Sequence, residues 1–134
     1  MSFICGGSLI SKYHVVTAAH CIQDKRSFER QLPERSLFFF GKHNLNDNNE
    51  VGYQKTNARR FIVHEDWNIN DPAYDADIAL VVLENQIQFT DFVRPICLWA
   101  QVDEINLVVG KVGVVVGMNN YVSSHDKFFI SCHF

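Results

Sequence analysis

The apolar residues of this chain occur in short runs separated by turn-forming residues, and this pattern limits the fold more than any other feature. No stretch keeps the 3.6-residue period of an amphipathic helix for long enough to predict a major α-helix. Short β-rich segments between Gly, Asn and Pro instead indicate an all-β barrel or sandwich. The predicted strands are 3–10, 14–17, 35–40, 56–64 and 78–83, with one helical turn at 18–22, loops at 42–50 and 68–74, and a further β-rich run at 108–116.

Length and charge exclude several classes of function. The chain has 134 residues, of which 12 are Lys or Arg and 15 are Asp or Glu, so its formal net charge is −3. A general nucleic-acid binder needs a positive field that this chain lacks. No apolar run approaches the ~18 residues of a membrane span, and no signal peptide is recognisable in this chain. We therefore expect one small domain that binds neither nucleic acid nor membrane.

Four cysteines are present, at positions 5, 21, 97 and 132, and none lies in a C-x-x-C motif. Zinc-ribbon and thioredoxin-type spacings are therefore absent, whereas two disulfides with three alternative pairings are allowed. His20 directly precedes Cys21, and Cys5 and Cys21 flank the predicted hairpin. A bridge between these two cysteines would hold His20 at the end of a strand. The alternative interpretation is a partly exposed histidine beside an ordinary disulfide.

Asp77 directly precedes the apolar segment 78–83. An ionised carboxylate beside a buried strand is costly unless it has partners. An imidazole N–H is one suitable partner, because the carboxylate then holds the ring in one tautomer and orientation. The alternative is a solvated carboxylate at the start of the strand, and Asp75 is the better candidate for that position.

Taken together, these segments resemble the chymotrypsin-like serine proteases. The matching stretches are CGGSLI at 5–10, VTAAHC at 16–21, DADIALVVL at 75–83 and VRPICL at 93–98, with looser matches in GKHNLN at 41–46 and HEDWN at 64–68. The resemblance covers about residues 3 to 100. It implies peptide-bond hydrolysis in which His20 is the general base and Asp77 orients it. It also implies a disulfide between Cys5 and Cys21.

The resemblance implies a chymotrypsin-like Greek-key β-barrel, of which this chain holds the first barrel and a stub of the second. We expect the first barrel over residues 1–109, followed at 110–134 by the start of the second barrel and a tail without resemblance. The family's nucleophile lies in a Gly-Asp-Ser-Gly-Gly segment, and none of the serines of this chain lies in such a segment. We therefore expect a serine endopeptidase domain truncated before its nucleophile and inactive alone. The alternative is a non-catalytic protease homologue that acts as a binding or regulatory module.

The resemblance also bears on partners, location and metals. It implies a protein or peptide substrate and an extracellular location. Cys97 matches a cysteine that in many relatives bridges to an upstream segment; without that segment, it is either free or paired with Cys132. The loop matching 41–50 can bind calcium in relatives, through carboxylates and carbonyls. Here Lys42 occupies the position of the first carboxylate ligand, where its ammonium can replace the ion, while Asp47 and Glu50 remain as candidate ligands. We expect no cofactor and no metal.

Overall fold

The computed structural model of the chain describes residues 5–25, 30–44, 47, 49–98 and 109–110. Within these residues it contains β-strands and short 3-10 helices and no α-helix, which confirms the all-β class. The strands are β1 (Ser8–Ser11), β2 (His14–Thr17), β3 (Leu37–Phe40), β4 (Gln54–Val63) and β5 (Ala79–Leu83), and the 3-10 helices are Ala19–Cys21 and Pro33–Arg35. None of the described helices is long and apolar enough to cross a bilayer.

The strands form one antiparallel sheet in the order β1-β2-β5-β4-β3. β1 pairs with β2 and β3 pairs with β4, and β5 lies between these two antiparallel pairs and joins them. In the β2–β5 ladder, Val15 is opposite Val81 and Thr17 is opposite Ala79. The curled sheet is consistent with the first barrel of the chymotrypsin-like fold.

The core lies on the inner face of the sheet, and buried residues alternate along β2, β3 and β5. β5 shows the alternation most clearly, since Ala79, Val81 and Leu83 are buried and the residues between them are only partly so. This period of two is the geometric consequence of a pleated strand with one face turned inward. The core cluster also draws on the other strands, on Ala19 of the first 3-10 helix and on four residues outside the strands and helices; its largest fully buried members are Phe40, Leu9, Leu83, Ile87, Val15 and Val81.

Two irregularities in the ladders accompany the curl of the sheet. The register shifts between Leu9 and Ser11 in β1 and between Ala58 and Arg60 in β4. Bulges of this kind bend a strand and increase its local twist, which is how a sheet begins to close into a barrel. Gly7 allows the backbone before β1 to lie close to β2, because a Cβ at this position would be only 2.8 Å from Cγ1 of Val15.

Several strand boundaries differ from those predicted. The predicted strand at 35–40 begins only at Leu37, because Pro33 starts a 3-10 turn whose last N–H bonds return to Leu32 and Pro33. Proline favours this first helical position because it has no N–H to lose and its φ is already suitable. The described part of the predicted strand at 3–10 is extended only from Ser8. The β-rich run at 108–116 lies almost entirely outside the described residues.

Burial of the core predicts a large difference between two chemically identical substitutions. Leu83 is 1% exposed and Leu98 is 62% exposed. We expect Leu83→Ala to lower the free energy of unfolding by about 2–5 kcal/mol, because it removes buried methyl groups and leaves a cavity. Leu98→Ala serves as the matched control and should change it by less than about 0.5 kcal/mol. Urea unfolding of both variants tests this, and equal losses would contradict the assignment of the core.

Candidate active site

His20 lies in the 3-10 turn that follows β2, and this turn is fixed on both sides. Within the turn, the N–H of Cys21 donates to the carbonyl of Ala18 at 3.2 Å, and that of Ile22 donates to Ala19 at 2.9 Å. Cys5 and Cys21 form a disulfide with their Cα atoms 5.9 Å apart, which confirms the expected bridge. Closing a loop of this length stabilises a fold by roughly 3 kcal/mol in the chain-entropy model. The backbone that carries the imidazole is therefore held covalently to the segment that precedes β1.

Asp77 lies beside His20 because it lies shortly before β5, the strand that pairs with β2. Because Thr17 pairs with Ala79, the end of β2 and the start of β5 are neighbours, and the residues just beyond them meet. Ala76 has a φ of +55°, in the left-handed region that residues with a Cβ rarely adopt. The N–H of Ile78 then donates to the carbonyl of Ala76 at 2.7 Å, closing a three-residue turn centred on Asp77. Asp75 is exposed, as expected for a solvated carboxylate.

The carboxylate of Asp77 binds His20 through both of its oxygens. Oδ2 lies 2.6 Å from Nδ1 of the imidazole, and Oδ1 accepts the backbone N–H of His20 at 2.8 Å. An ionised carboxylate can only accept hydrogen bonds, so Nδ1 carries the proton and Nε2 of the neutral ring keeps its lone pair. The side chain of Asp77 is 16% exposed and that of His20 is 43% exposed. The structure thus brings together the two residues that the sequence motifs single out.

The other ring nitrogen of His20, Nε2, lies beside the disulfide. Nε2 lies 3.9 Å from Sγ of Cys5 and 3.7 Å from Sγ of Cys21. The ligand-type atoms of these three residues lie within 4.8 Å of one another. They do not suit zinc, which binds cysteine as the thiolate, because both sulfurs are already joined to each other. Disulfide sulfur is also a weak acceptor, so Nε2 remains available to a stronger partner.

The loop between β3 and β4 is built around the ammonium of Lys42. The Lys42 side chain is 4% exposed, and its Nζ donates to the carbonyl of Asp47 at 2.8 Å and lies 3.8 Å from Oε2 of Glu50. It also lies 4.2 Å from the centre of the Tyr53 ring. Such an ammonium over a ring face is attracted by the ring's quadrupole. The loop therefore contains a positive charge of its own.

This arrangement does not fit a calcium ion. Calcium needs six to eight oxygen ligands, and the carboxylate of Glu50 and the carbonyl of Asp47 already bind Lys42. Glu50 also accepts the backbone N–H of His43, and that of Asn44 at 2.7 Å. These two backbone hydrogen bonds, and to a smaller degree the positive charge of Lys42, lower the pKa of Glu50 below its usual 4.5.

Sequence reasoning missed the group of side chains that surrounds the 64–78 loop. Lys25 lies over the rings of Trp67 and Tyr74, and the edge of Tyr74 meets the His20 ring at 5.9 Å between centroids. The loose HEDWN match contains Trp67, but nothing in the sequence links it to Lys25. The left-handed backbone of Ala76 also gave no signal, because alanine is not a residue that favours it.

Comparisons with known proteins agree with the fold and the motifs. The family model described as Trypsin matches residues 1–128. The chain belongs to the trypsin family of serine proteases. It is 38% identical over 117 residues to serine protease gd of Drosophila melanogaster, a match that covers 87% of this chain and 22% of that protein.

Two further curated proteins are similar over most of the chain. The suppressor of tumorigenicity 14 protein homolog of Bos taurus is 38% identical over 97 residues, covering 71% of this chain and 11% of that protein. Coagulation factor IX of Cavia porcellus is 33% identical over 125 residues, covering 93% of this chain and 38% of that protein. The chain thus spans well under half the length of each of these relatives.

The environment of Glu50 predicts a pH dependence of stability. The pKa of Glu50 is lowered in the folded chain. Its contribution to the free energy of unfolding is therefore present above the ordinary pKa of 4.5 and is lost as the pH falls through the folded pKa. We expect Glu50→Gln to destabilise the chain at neutral pH, and this difference from the wild type to shrink in acid. Urea midpoints between pH 7 and pH 3 measure it. Glu84→Gln controls for the loss of one exposed negative charge, and a difference that grows in acid would refute the prediction.

The contacts of Lys42 predict that calcium does not stabilise this loop. We expect the same Tm for the wild-type chain in millimolar calcium and in EDTA. Lys42→Glu removes the ammonium and adds a carboxylate beside Glu50, so its Tm should rise with calcium. Lys55→Glu, at an exposed position on β4, is the matched control and should not respond. A wild-type Tm that rises with calcium would show that the ion displaces the lysine.

Proposed function

We propose that the chain supplies the general base and its orienting carboxylate to the active site of a serine endopeptidase. His20 is the base and Asp77 is the carboxylate that orients it. The observation that carries this proposal is the double hydrogen bond of Asp77, to Nδ1 of His20 at 2.6 Å and to its backbone N–H at 2.8 Å. A purely structural aspartate would need only the backbone contact, whereas the contact to Nδ1 selects the tautomer required for catalysis.

In this proposal, proton transfer takes place at Nε2 of His20. The lone pair there accepts the proton of a serine hydroxyl as the oxygen attacks the carbonyl carbon of the substrate. The imidazolium that forms shares its positive charge between its two ring nitrogens. The carboxylate of Asp77, which is hydrogen-bonded to Nδ1, stabilises this charge. Nε2 then returns the proton to the leaving amine, so that an acyl-enzyme remains. Water repeats the cycle in the second half of the reaction.

The nucleophile is the part of this reaction that the 134 residues do not supply. None of their serines lies in a Gly-Asp-Ser-Gly-Gly segment. We propose that residues 1–109 form the first barrel, that 110–134 begin the second barrel and a tail, and that the chain by itself does not hydrolyse peptides. A non-catalytic module that binds or regulates is the second candidate, favoured by the same missing segment. A transcript of the gene that continues into this segment supports the peptidase, and one that ends at Phe134 supports the module.

Substrate, location and a further covalent partner follow from the same proposal. The substrate class is a protein or peptide, as in the family. The location is extracellular, which the disulfide supports because such bonds persist in oxidising compartments. Cys97 is exposed and has no disulfide partner in the part of the chain that is described. Its thiol is therefore accessible for a bridge to an upstream segment of the parent protein, while Cys132 lies outside the described residues.

Activity of the isolated chain tests the missing nucleophile. We expect no peptidase turnover above that of a His20→Ala variant, because removing the nucleophile lowers the rate by about a millionfold in a protease of unrelated fold that uses the same triad arrangement. The folded chain is incubated with a mixed peptide library and with a serine-reactive phosphonate. Cleavage or labelling that His20→Ala abolishes would show that another serine of the chain acts as the nucleophile.

A further inference from the structure

The ammonium of Lys25 joins two segments that are far apart in sequence and that both border the imidazole of His20. Nζ donates to the backbone carbonyls of Asp71 and Ala73, which lie 46 and 48 residues further along the chain. It also lies 4.3 Å from the centre of the Trp67 ring and 4.6 Å from that of Tyr74. One charged group therefore fixes both the backbone and the aromatic side chains of the 64–78 loop.

Trp67 gives this contact a rigid base. Its side chain belongs to the buried core and it is 8% exposed, whereas Tyr74 is 56% exposed. The two rings lie 6.2 Å apart at 45° to each other, and the ammonium of Lys25 faces both. The quadrupole of each ring attracts the ammonium over its face, and Nζ also donates to the carbonyls of Asp71 and Ala73. Besides Lys25, the Tyr74 ring contacts the rings of His20 and Trp67.

The held segment leads directly to the catalytic pair proposed above. Tyr74 meets the edge of the His20 ring at 5.9 Å and 89°, and Asp77 follows three residues later. Between them lies the left-handed turn at Ala76, a conformation that residues with a Cβ rarely adopt and that its surroundings must maintain. Lys25 binds the backbone carbonyls of Asp71 and Ala73, which lie shortly before this turn. The contacts of Lys25 and the left-handed turn therefore act on the same short segment.

We propose that Lys25 is a positioning residue, which clamps the loop so that Tyr74 and Asp77 hold the imidazole of His20 in its catalytic orientation. This inference rests on the proposed roles of His20 and Asp77. Lys25 does not touch the reacting atoms and acts through the loop alone. Because the clamp is assembled within the described residues, it can be tested without the nucleophile and without measuring hydrolysis.

The test reads the hydrogen bond between His20 and Asp77 directly. The Nδ1 proton in a charge-assisted bond of 2.6 Å is strongly deshielded and gives a separate proton resonance by NMR. Lys25→Met keeps the aliphatic stem and removes the charge and its donors. We expect exchange of this proton with water, and of the amides at 73–77, to become faster by on the order of tenfold. Lys25→Arg, which still stacks on rings and donates to carbonyls, should retain most of the protection.

Two controls separate positioning from general stability. Lys55→Met removes an exposed lysine of β4 and should leave the resonance unchanged. Thermal unfolding of each variant shows whether the barrel remains folded, and, should Lys25→Met not fold, Tyr74→Leu at an exposed position tests the same clamp. Unchanged exchange in folded Lys25→Met, or in Tyr74→Leu, would overturn the proposal. A lost clamp with intact folding would support it even if the full protein proved to be a non-catalytic module.

Discussion

The pairing of β2 with β5 is the constraint on which the site depends. Thr17 lies opposite Ala79, so a residue shortly after β2 and one shortly before β5 fall side by side. A two-residue slip of this ladder would separate His20 and Asp77 by about 7 Å, well beyond hydrogen-bonding distance. A one-residue slip would turn the buried residues of β5 outward. Burial of Val15 and Val81 in the core thus excludes the one-residue slip.

The loops between β3 and β4 and between β4 and β5 are organised in the same way, by a lysine ammonium. In the loop between β3 and β4, the ammonium of Lys42 binds a backbone carbonyl and a carboxylate and faces one ring. In the loop between β4 and β5, the ammonium of Lys25 binds two carbonyls and faces two rings. Lysine suits this role because it is a compact charge with three donors on a flexible stem. It organises loop backbone that has no strand partner to bind its carbonyls.

The two lysines differ in how far they reach. Lys42 binds residues five and eight positions away, so it closes its own loop and its influence stays local. Lys25 belongs to the segment after the His20 turn and binds a loop more than forty residues further along the chain. The first contact stabilises an edge of the sheet, whereas the second couples both sides of the proposed catalytic pair. Position in the topology, and not the chemistry of the side chain, makes this difference.

The sequence predicted the fold class and the central pair because both depend on local pattern and on motif. The apolar run at 78–83 predicts β5, and the motifs around His20 and Asp77 carry the resemblance from which their proximity follows. Strand ends were predicted less well, since Pro33 replaces the start of β3 by a 3-10 turn. The Lys25 contacts could not be predicted, because a lysine and two aromatic residues over forty positions away form no periodic pattern.

The geometry of the His20–Asp77 pair is complete within the first barrel. The disulfide from Cys5, the turn at Ala76 and both oxygens of Asp77 all act on the imidazole from residues numbered 5 to 77. Dipoles and hydrogen bonds that are fixed by folding need no reorganisation when charge develops during a reaction. In the proposed peptidase, the barrel therefore prepares the base before any nucleophile is present. What the rest of such a site must add is a hydroxyl placed at Nε2 and donors for the oxyanion, and neither requires a change in the residues that hold the imidazole.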